Sequence, residues 1–240
     1  MLYLDADDFV ADGGLRLLID ELKWCDCDLL MFDSETQDEA GKIVESMHYK
    51  GNPQEVMTGE NYLVKAEVPW VPWMTAYKKS FLNDNGIQFA QNVRFEDIDY
   101  VLKCCLLAKS VIYKPLKVIS HVINPLSTVH IGRDSRKVTE QFMALDRLYD
   151  TITTYGESHA VGVKCLKGHY DFMYGTLVKR TLWRLNIKDI RKILGAYPYK
   201  GDSVSGFVGL SLEFPVIYAL LAKMASPLLS AGIRIRNAIK

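Results

Sequence analysis

The stretch Leu2-Tyr3-Leu4-Asp5-Ala6-Asp7-Asp8 decides the fold. Residues 1–4 are an apolar run with no preceding turn or cap, which reads as a buried strand, and they feed directly into three acids. In an α/β sheet, ligands bind beyond the carboxyl ends of strands, so this order of residues puts the carboxylates in the default site. Packed so closely, they repel one another unless protons or a cation intervene. Mg²⁺ or Mn²⁺ is the natural counter-ion, because it takes one or two carboxylates and fills its shell with water and substrate phosphates. Asp-rich stretches also serve as solvated turns and helix caps, and Asp12 reads as the N-cap of the next helix. A calcium loop is excluded, since Phe9 stands at the next ligand position after Asp5 and Asp7.

Outward from this stretch, residues 14–23 carry Leu15, Leu18, Ile19 and Leu22 at helical spacing. Residues 28–33 and 43–49 read as strands, 59–66 as a helix capped by Thr58, and 70–77 as an aromatic, β-inclined segment. A short helix over 78–85 stops at Gly86. Residues 95–108 form an amphipathic helix, and 110–113 and 117–123 two further strands. Beyond them the pattern is helical only, at 136–153, 161–185, 187–194 and 214–235, the last interrupted by Pro227. Strands alternating with helices and then helices alone imply an α/β layer over 1–130 and a C-terminal helical appendage over 131–240.

Composition narrows the function. The chain has 240 residues, 29 Lys+Arg against 29 Asp+Glu, 49% hydrophobic residues and a pI of 6.9. Such a chain can bury a sizeable core, which excludes the collagen-like, disordered and disulfide-scaffold classes. Zero net charge argues against nucleic acid as a partner, whose binding needs clustered excess Lys and Arg. Five cysteines is an odd number. The pairs Cys25/Cys27 and Cys104/Cys105 are too close in sequence for a disulfide framework, so reduced thiols in the cytoplasm are expected. Residues 1–4 lack the basic region and cleavage pattern of a signal peptide. Gly-x-Gly-x-x-Gly, Walker, Gly-x-Ser-x-Gly and His-Glu-x-x-His patterns are all missing. The apolar segment 214–236, followed by basic residues, suits either the inner face of a membrane as a peripheral surface helix or a core-facing helix.

A second signal is Phe95-Glu96-Asp97-Ile98-Asp99. Acids in a first helical turn are stabilised by the macrodipole whether or not they have a function. The functional reading has a carboxylate accept a proton from a substrate hydroxyl. Upstream, Trp70, Trp73 and Tyr77 offer flat amphipathic rings for a sugar or other polyol, or else belong to the core.

Together these residues resemble the family 2 glycosyltransferases of GT-A fold, which build polysaccharides and surface glycans. The resemblance rests on three elements in order: the strand ending Leu4-Asp-Ala-Asp-Asp8, then Trp73-x-x-x-Tyr77-Lys-Lys-Ser-Phe-Leu82-x-x-Asn85, then Phe95-Glu-Asp-Ile-Asp-Tyr100-x-Leu102. Val118-Ile-Ser-His-Val-Ile-Asn-Pro-Leu-Ser127 is similar to a later element, with His121 and Val122 where the family tends to have an aromatic and a basic residue. The match spans residues 1 to about 130 and implies an incomplete GT-A-like, Rossmann-like mixed sheet, lacking the family's N-terminal nucleotide-binding segment.

By this resemblance Asp5-Ala6-Asp7 is the family's Asp-x-Asp. Asp7 would ligate Mg²⁺ or Mn²⁺, and Asp5 would support the metal and the nucleotide. Asp97 would be the base that deprotonates the acceptor hydroxyl, and Trp73, Tyr77 and Glu96 would line the acceptor side. The implied reaction is inverting transfer of a sugar from a nucleotide-sugar to a glycan or lipid-linked acceptor in polysaccharide biosynthesis. Two alternatives stay open: a truncated, catalytically inactive remnant of such an enzyme, and a haloacid dehalogenase-type phosphatase. The phosphatase type also places Asp-x-Asp after an apolar strand but usually has Thr where this chain has Phe9.

Overall fold

Strand β2 (Leu29–Gln37) runs through the centre of a five-stranded sheet. Its start, Leu-Leu-Met-Phe, is a continuous apolar run buried on both faces, as a strand with neighbours on each side requires. The computed structural model describes residues 1–38, 40–49, 55–65, 71–123, 135–180, 184–201, 217 and 221. On one side β2 pairs in parallel with β5 (Val111–Val122). On the other it pairs antiparallel with β3 (Ile43–Met47), and near its start with β4 (Thr75–Tyr77). Strand β1 (Phe9–Val10) lies antiparallel on the outer side of β5, giving the order β1-β5-β2-β3.

The two strands expected at 110–113 and 117–123 are one. Phe32 pairs with Lys114 and Asp33 with Lys117, so Pro115 and Leu116 drop out of the ladder at a register shift. Proline has no N–H to give a ladder, and a bulge lets the strand pass through it. Residues 1–4, expected as a strand, contribute a single rung: the Met1 ammonium donates to the Tyr77 carbonyl, and the Tyr77 N–H donates to the Met1 carbonyl at 2.9 Å.

Helix α1 (Gly14–Leu22) rests on β5 through Gly14 and Leu18. A Cβ at Gly14 would stand 2.8 Å from the Lys117 carbonyl oxygen and the Val118 Cα. This close approach sets the helix entry, which Gly13 makes in the left-handed region at φ 74°. Gly13 therefore takes the N-cap position expected for Asp12, and no side chain caps the helix. Helix α2 (Gly59–Lys65) begins at Thr58 as expected, with the Asn61 N–H donating to Thr58 Oγ1 at 3.3 Å. Helix α3 (Lys79–Asp84) is followed by Gly86 at φ 59°, and α4 (Asp97–Leu107) packs against α2.

Helices α5 (Ser135–Tyr155), α6 (Ala160–Arg180) and α7 (Ile187–Ala196) make up the C-terminal region. The chain divides into two compact units, residues 1–132 with 150–166, and residues 133–149 with 167–240. In the first unit, Glu60 on α2 hydrogen-bonds His159 Nδ1 at 2.9 Å and accepts the Gly162 N–H at 2.8 Å, fixing the start of α6. In the second, the Phe142 ring meets Tyr174 edge-on, and Tyr174 donates its hydroxyl to the Tyr197 carbonyl at 2.9 Å. The helix expected at 214–235 lies outside the described residues, apart from positions 217 and 221.

One expectation about the cysteines is corrected. Cys25 and Cys27 are joined by a disulfide, their Cα atoms 5.4 Å apart, within the range a disulfide needs. The turn between α1 and β2 brings the two side chains together across Asp26, a proximity that sequence separation alone does not convey. Cys104, Cys105 and Cys165 are free thiols.

Candidate active site

The acid stretch does not follow a strand of its own, since residues 1–4 contribute only the Met1–Tyr77 rung; it lies instead before β1, near the carboxyl end of β5. Because β1 runs antiparallel to β5 with Phe9 opposite Ser120, residues 5–8 are carried to His121 and Val122 at the end of β5. Asp5 and Asp7 are exposed, while Asp8 is buried. A tight turn, with the Asp8 N–H donating to the Asp5 carbonyl at 3.1 Å, turns Asp8 inward.

Asp8 has a role that the sequence did not reveal. Its carboxylate hydrogen-bonds His121 Nδ1 at 2.9 Å and accepts the Val122 N–H at 3.0 Å. The His121 ring in turn stacks on Trp73, with centroids 5.4 Å apart and planes 15° from parallel. The third acid of the cluster thus ties the loop to β5 and orients an imidazole. The only sequence signal for it was His121 standing at an unusual position.

Asp97 opens α4, close enough to the acid loop for Asp5 to act on it. Its carboxyl is pushed up to about 6, chiefly by burial, with further upward pressure from the Glu96 and Asp5 charges. Hydrogen bonds from the backbone N–H groups of Asp97 and Ile98 oppose the shift, as expected at a helix N-terminus. The Asp5 carboxyl is also raised, first by desolvation, then by Asp8 and Asp7, with His121 working the other way. Carboxylates from two separate segments, 5–8 and 96–97, therefore share one electrostatic neighbourhood.

An aromatic cluster holds these segments in place. Tyr3, two residues before Asp5, shares a 2.8 Å hydroxyl hydrogen bond with Tyr100, one helical turn after Asp97. Phe89 stacks on Tyr100 at 3.9 Å, and Tyr77 meets both Tyr3 and Tyr100 edge-on. The lead-in to α4 has Phe95 at φ 61°, a left-handed conformation that costs energy for a bulky side chain and sits directly before Glu96-Asp97.

Trp73 and Tyr77, expected to line an acceptor, are both buried. One face of Trp73 is taken by His121, and the Tyr77 hydroxyl donates to the Pro72 carbonyl at 3.1 Å. Glu96, expected beside them, is half-buried next to Asp97. Trp70 lies outside the described residues, as does the Asn-Pro-Leu-Ser at 124–127. Among the described residues no group of three or more His, Cys, Asp or Glu is arranged around a common cation position, and no helix is long and apolar enough to cross a membrane.

This architecture, an open mixed sheet flanked by helices with acids at the carboxyl end of its parallel pair, is a glycosyltransferase-like fold of GT-A type. The chain is similar to a crystal structure of S. aureus TarS residues 1–349 in complex with UDP-GlcNAc, at 13% sequence identity and a TM-score of 0.50, covering 82% of this chain and 57% of that one. A second structure of TarS 1–349 matches at 14% identity and a TM-score of 0.47, over 82% of this chain and 56% of that one. The chain thus spans less than two thirds of the length of these structures. No protein-family model matches it, and no curated protein matches it by sequence.

Proposed function

We propose that the chain carries the acceptor-activating and metal-binding part of an inverting glycosyltransferase of family 2 type. The substrates are a nucleotide-sugar donor and the hydroxyl of a glycan or lipid-linked acceptor in polysaccharide biosynthesis. The observation that carries the reading is Asp97, a carboxyl pushed up to about 6 at a helix N-terminus beside the Asp5 neighbourhood. A base with that proton affinity is largely ionised at neutral pH yet still able to take a hydroxyl proton as the oxygen attacks. Attack on the anomeric carbon from the face opposite the departing diphosphate inverts its configuration. The likeness to TarS in complex with UDP-GlcNAc supports a nucleotide-sugar donor.

Asp5 and Asp7 fit a hard divalent cation. They are oxygen donors on one short exposed loop, and the upward shift of Asp5, due first to desolvation and then to the Asp8 and Asp7 charges, is one a bound cation would oppose. Two carboxylates are also the usual protein contribution to a Mg²⁺ or Mn²⁺ site completed by substrate phosphates. When bound there, such an ion supplies Lewis-acid neutralisation of charge on the departing diphosphate. Asp8 and Trp73 hold the His121 ring at the edge of this loop, and we assign Glu96, half-buried next to Asp97, to the acceptor side. We place the reaction in the cytoplasm, with residues 214–236 meeting the inner membrane face where a lipid-linked acceptor would lie.

The test is release of nucleoside diphosphate from a panel of nucleotide-sugars with Mn²⁺ and a glycan acceptor. Turnover by the wild-type chain that is lost in Asp97→Asn, with donor binding kept, supports the reading. Turnover that survives Asp97→Asn overturns the assignment of the base.

A further inference from the structure

The Cys25–Cys27 disulfide closes a ring across a single residue, in the turn joining α1 to β2. So short a loop removes little freedom from the unfolded chain, and the bond is therefore a weak staple for the fold. Its surroundings suit chemistry better. Cys25 is half-buried, the preceding Trp24 is 90% exposed, and the Asp26 side chain between the two cysteines is 89% exposed. Cys27 is buried.

The turn is also anchored without the disulfide. Lys78 pairs with Asp26, and its N–H donates to the Asp28 carbonyl at 2.9 Å. The Asp28 carboxylate accepts the N–H groups of Lys109 and Ser110 at 2.8 and 3.2 Å. Contacts on both sides of Cys27 therefore hold it near Cys25 whether or not the S–S bond exists, the arrangement a bond needs if it is to open and re-form. The remaining cysteines contrast with this pair. Burial pushes the Cys105 thiol up to about 12 and raises those of Cys104 and Cys165, which keeps them protonated and poorly reactive.

We propose that Cys25 and Cys27 form a reversible thiol–disulfide exchange site whose co-reactant is a dithiol reductant, docking beside the exposed Trp24. The incoming thiolate attacks Cys25 Sγ, the S–S bond breaks, and Cys27 leaves as a thiolate that takes a proton. The reductant's second thiol then attacks its own sulfur in the mixed disulfide and releases Cys25. Two electrons and two protons pass to the protein, and the reductant leaves as its own disulfide. Reduced thiols and the disulfide are thus two states of one site.

Thiol trapping on the folded, full-length chain tests this. After treatment with dithiothreitol, or with mixtures of reduced and oxidised glutathione, samples are acid-quenched, alkylated and digested with trypsin. Cleavage after Lys23 and Lys42 leaves both cysteines on one peptide. The expected result is an unalkylated peptide before reduction, two added alkyl groups after reduction without denaturant, and return to the disulfide with oxidised glutathione. In Cys27→Ser, Cys25 should take up glutathione as a mixed disulfide; in Cys25→Ser, Cys27 should react on the order of tenfold more slowly, since burial limits access. Two alkyl groups before any reduction, or a disulfide that opens only in denaturant, overturns the proposal from wild-type protein alone.

Discussion

Replacing Asp97 by Asn should stabilise the protein at pH 8 while abolishing transfer. The Asp97 carboxyl is raised from 3.8 to about 6, so the folded state holds this proton more tightly than the unfolded chain does. Between those two values the folded state carries the extra proton, and stability falls as pH rises. Above pH 6 the ionised carboxylate remains buried beside Glu96 and Asp5 and the cost is complete. A shift of about two units at 1.36 kcal/mol each gives up to roughly 3 kcal/mol, less whatever solvent screens at the partly exposed carboxyl. Asn keeps the shape, and its amide oxygen can accept the same N–H groups without carrying charge. Urea melts in chelator at pH 4 and pH 8 read the difference directly. Asp97→Asn should match wild type at pH 4 and exceed it by roughly 2 to 3 kcal/mol at pH 8. A variant that is destabilised at pH 8, or changed equally at both pH values, would refute a raised Asp97.

Other outcomes follow from the packing. Asp8→Ala should cost roughly 2 to 3 kcal/mol in urea melts, because it strips the acceptor from His121 Nδ1 and the Val122 N–H near the carboxyl end of β5. Gly59→Ala should be among the worst small substitutions, about 3 kcal/mol or more, since its Cβ would lie 1.7 Å from the Cys105 carbonyl oxygen. Gly168→Ala should do the reverse and stabilise α6 by about 0.5 to 1 kcal/mol, since nothing stands within 4 Å of the added methyl group. Thermal melts of the two glycine variants side by side check both signs.

Local patterns carried the elements. The i, i+3, i+4 spacing after Glu96 and the Thr58 cap gave α4 and α2, because one buried face and one side-chain acceptor suffice to specify a helix. Long-range pairing was harder to read. Pro115 looked like a break between strands, and only the ladder with β2 shows a bulge passing through one strand. Asp12 had the right chemistry for a cap, but the approach of α1 to within a Cβ of the β5 backbone demanded a left-handed Gly13 instead.

The site divides in the same way. Asp97 stands at a helix start as its sequence context implies, whereas the strand expected ahead of Asp5 and Asp7 is reduced to a single rung. The hydrogen bond from His121 to Asp8 spans 113 residues, and no local pattern encodes it. Burial of Trp73 and Tyr77 was likewise invisible, since aromatic residues look the same in sequence whether they form a binding platform or a core.

Calorimetric titration with UDP-sugars in the presence and absence of Mn²⁺ tests the central claim most directly. At most weak binding is predicted for a chain that carries only the metal-binding and acceptor-activating part, and the binding that occurs should depend on the cation, fall at least tenfold in Asp7→Ala and be retained in Asp97→Asn; that loss corresponds to about 1.4 kcal/mol or more. Binding that ignores the cation and survives Asp7→Ala would contradict a metal-assisted nucleotide-sugar site at the acid loop.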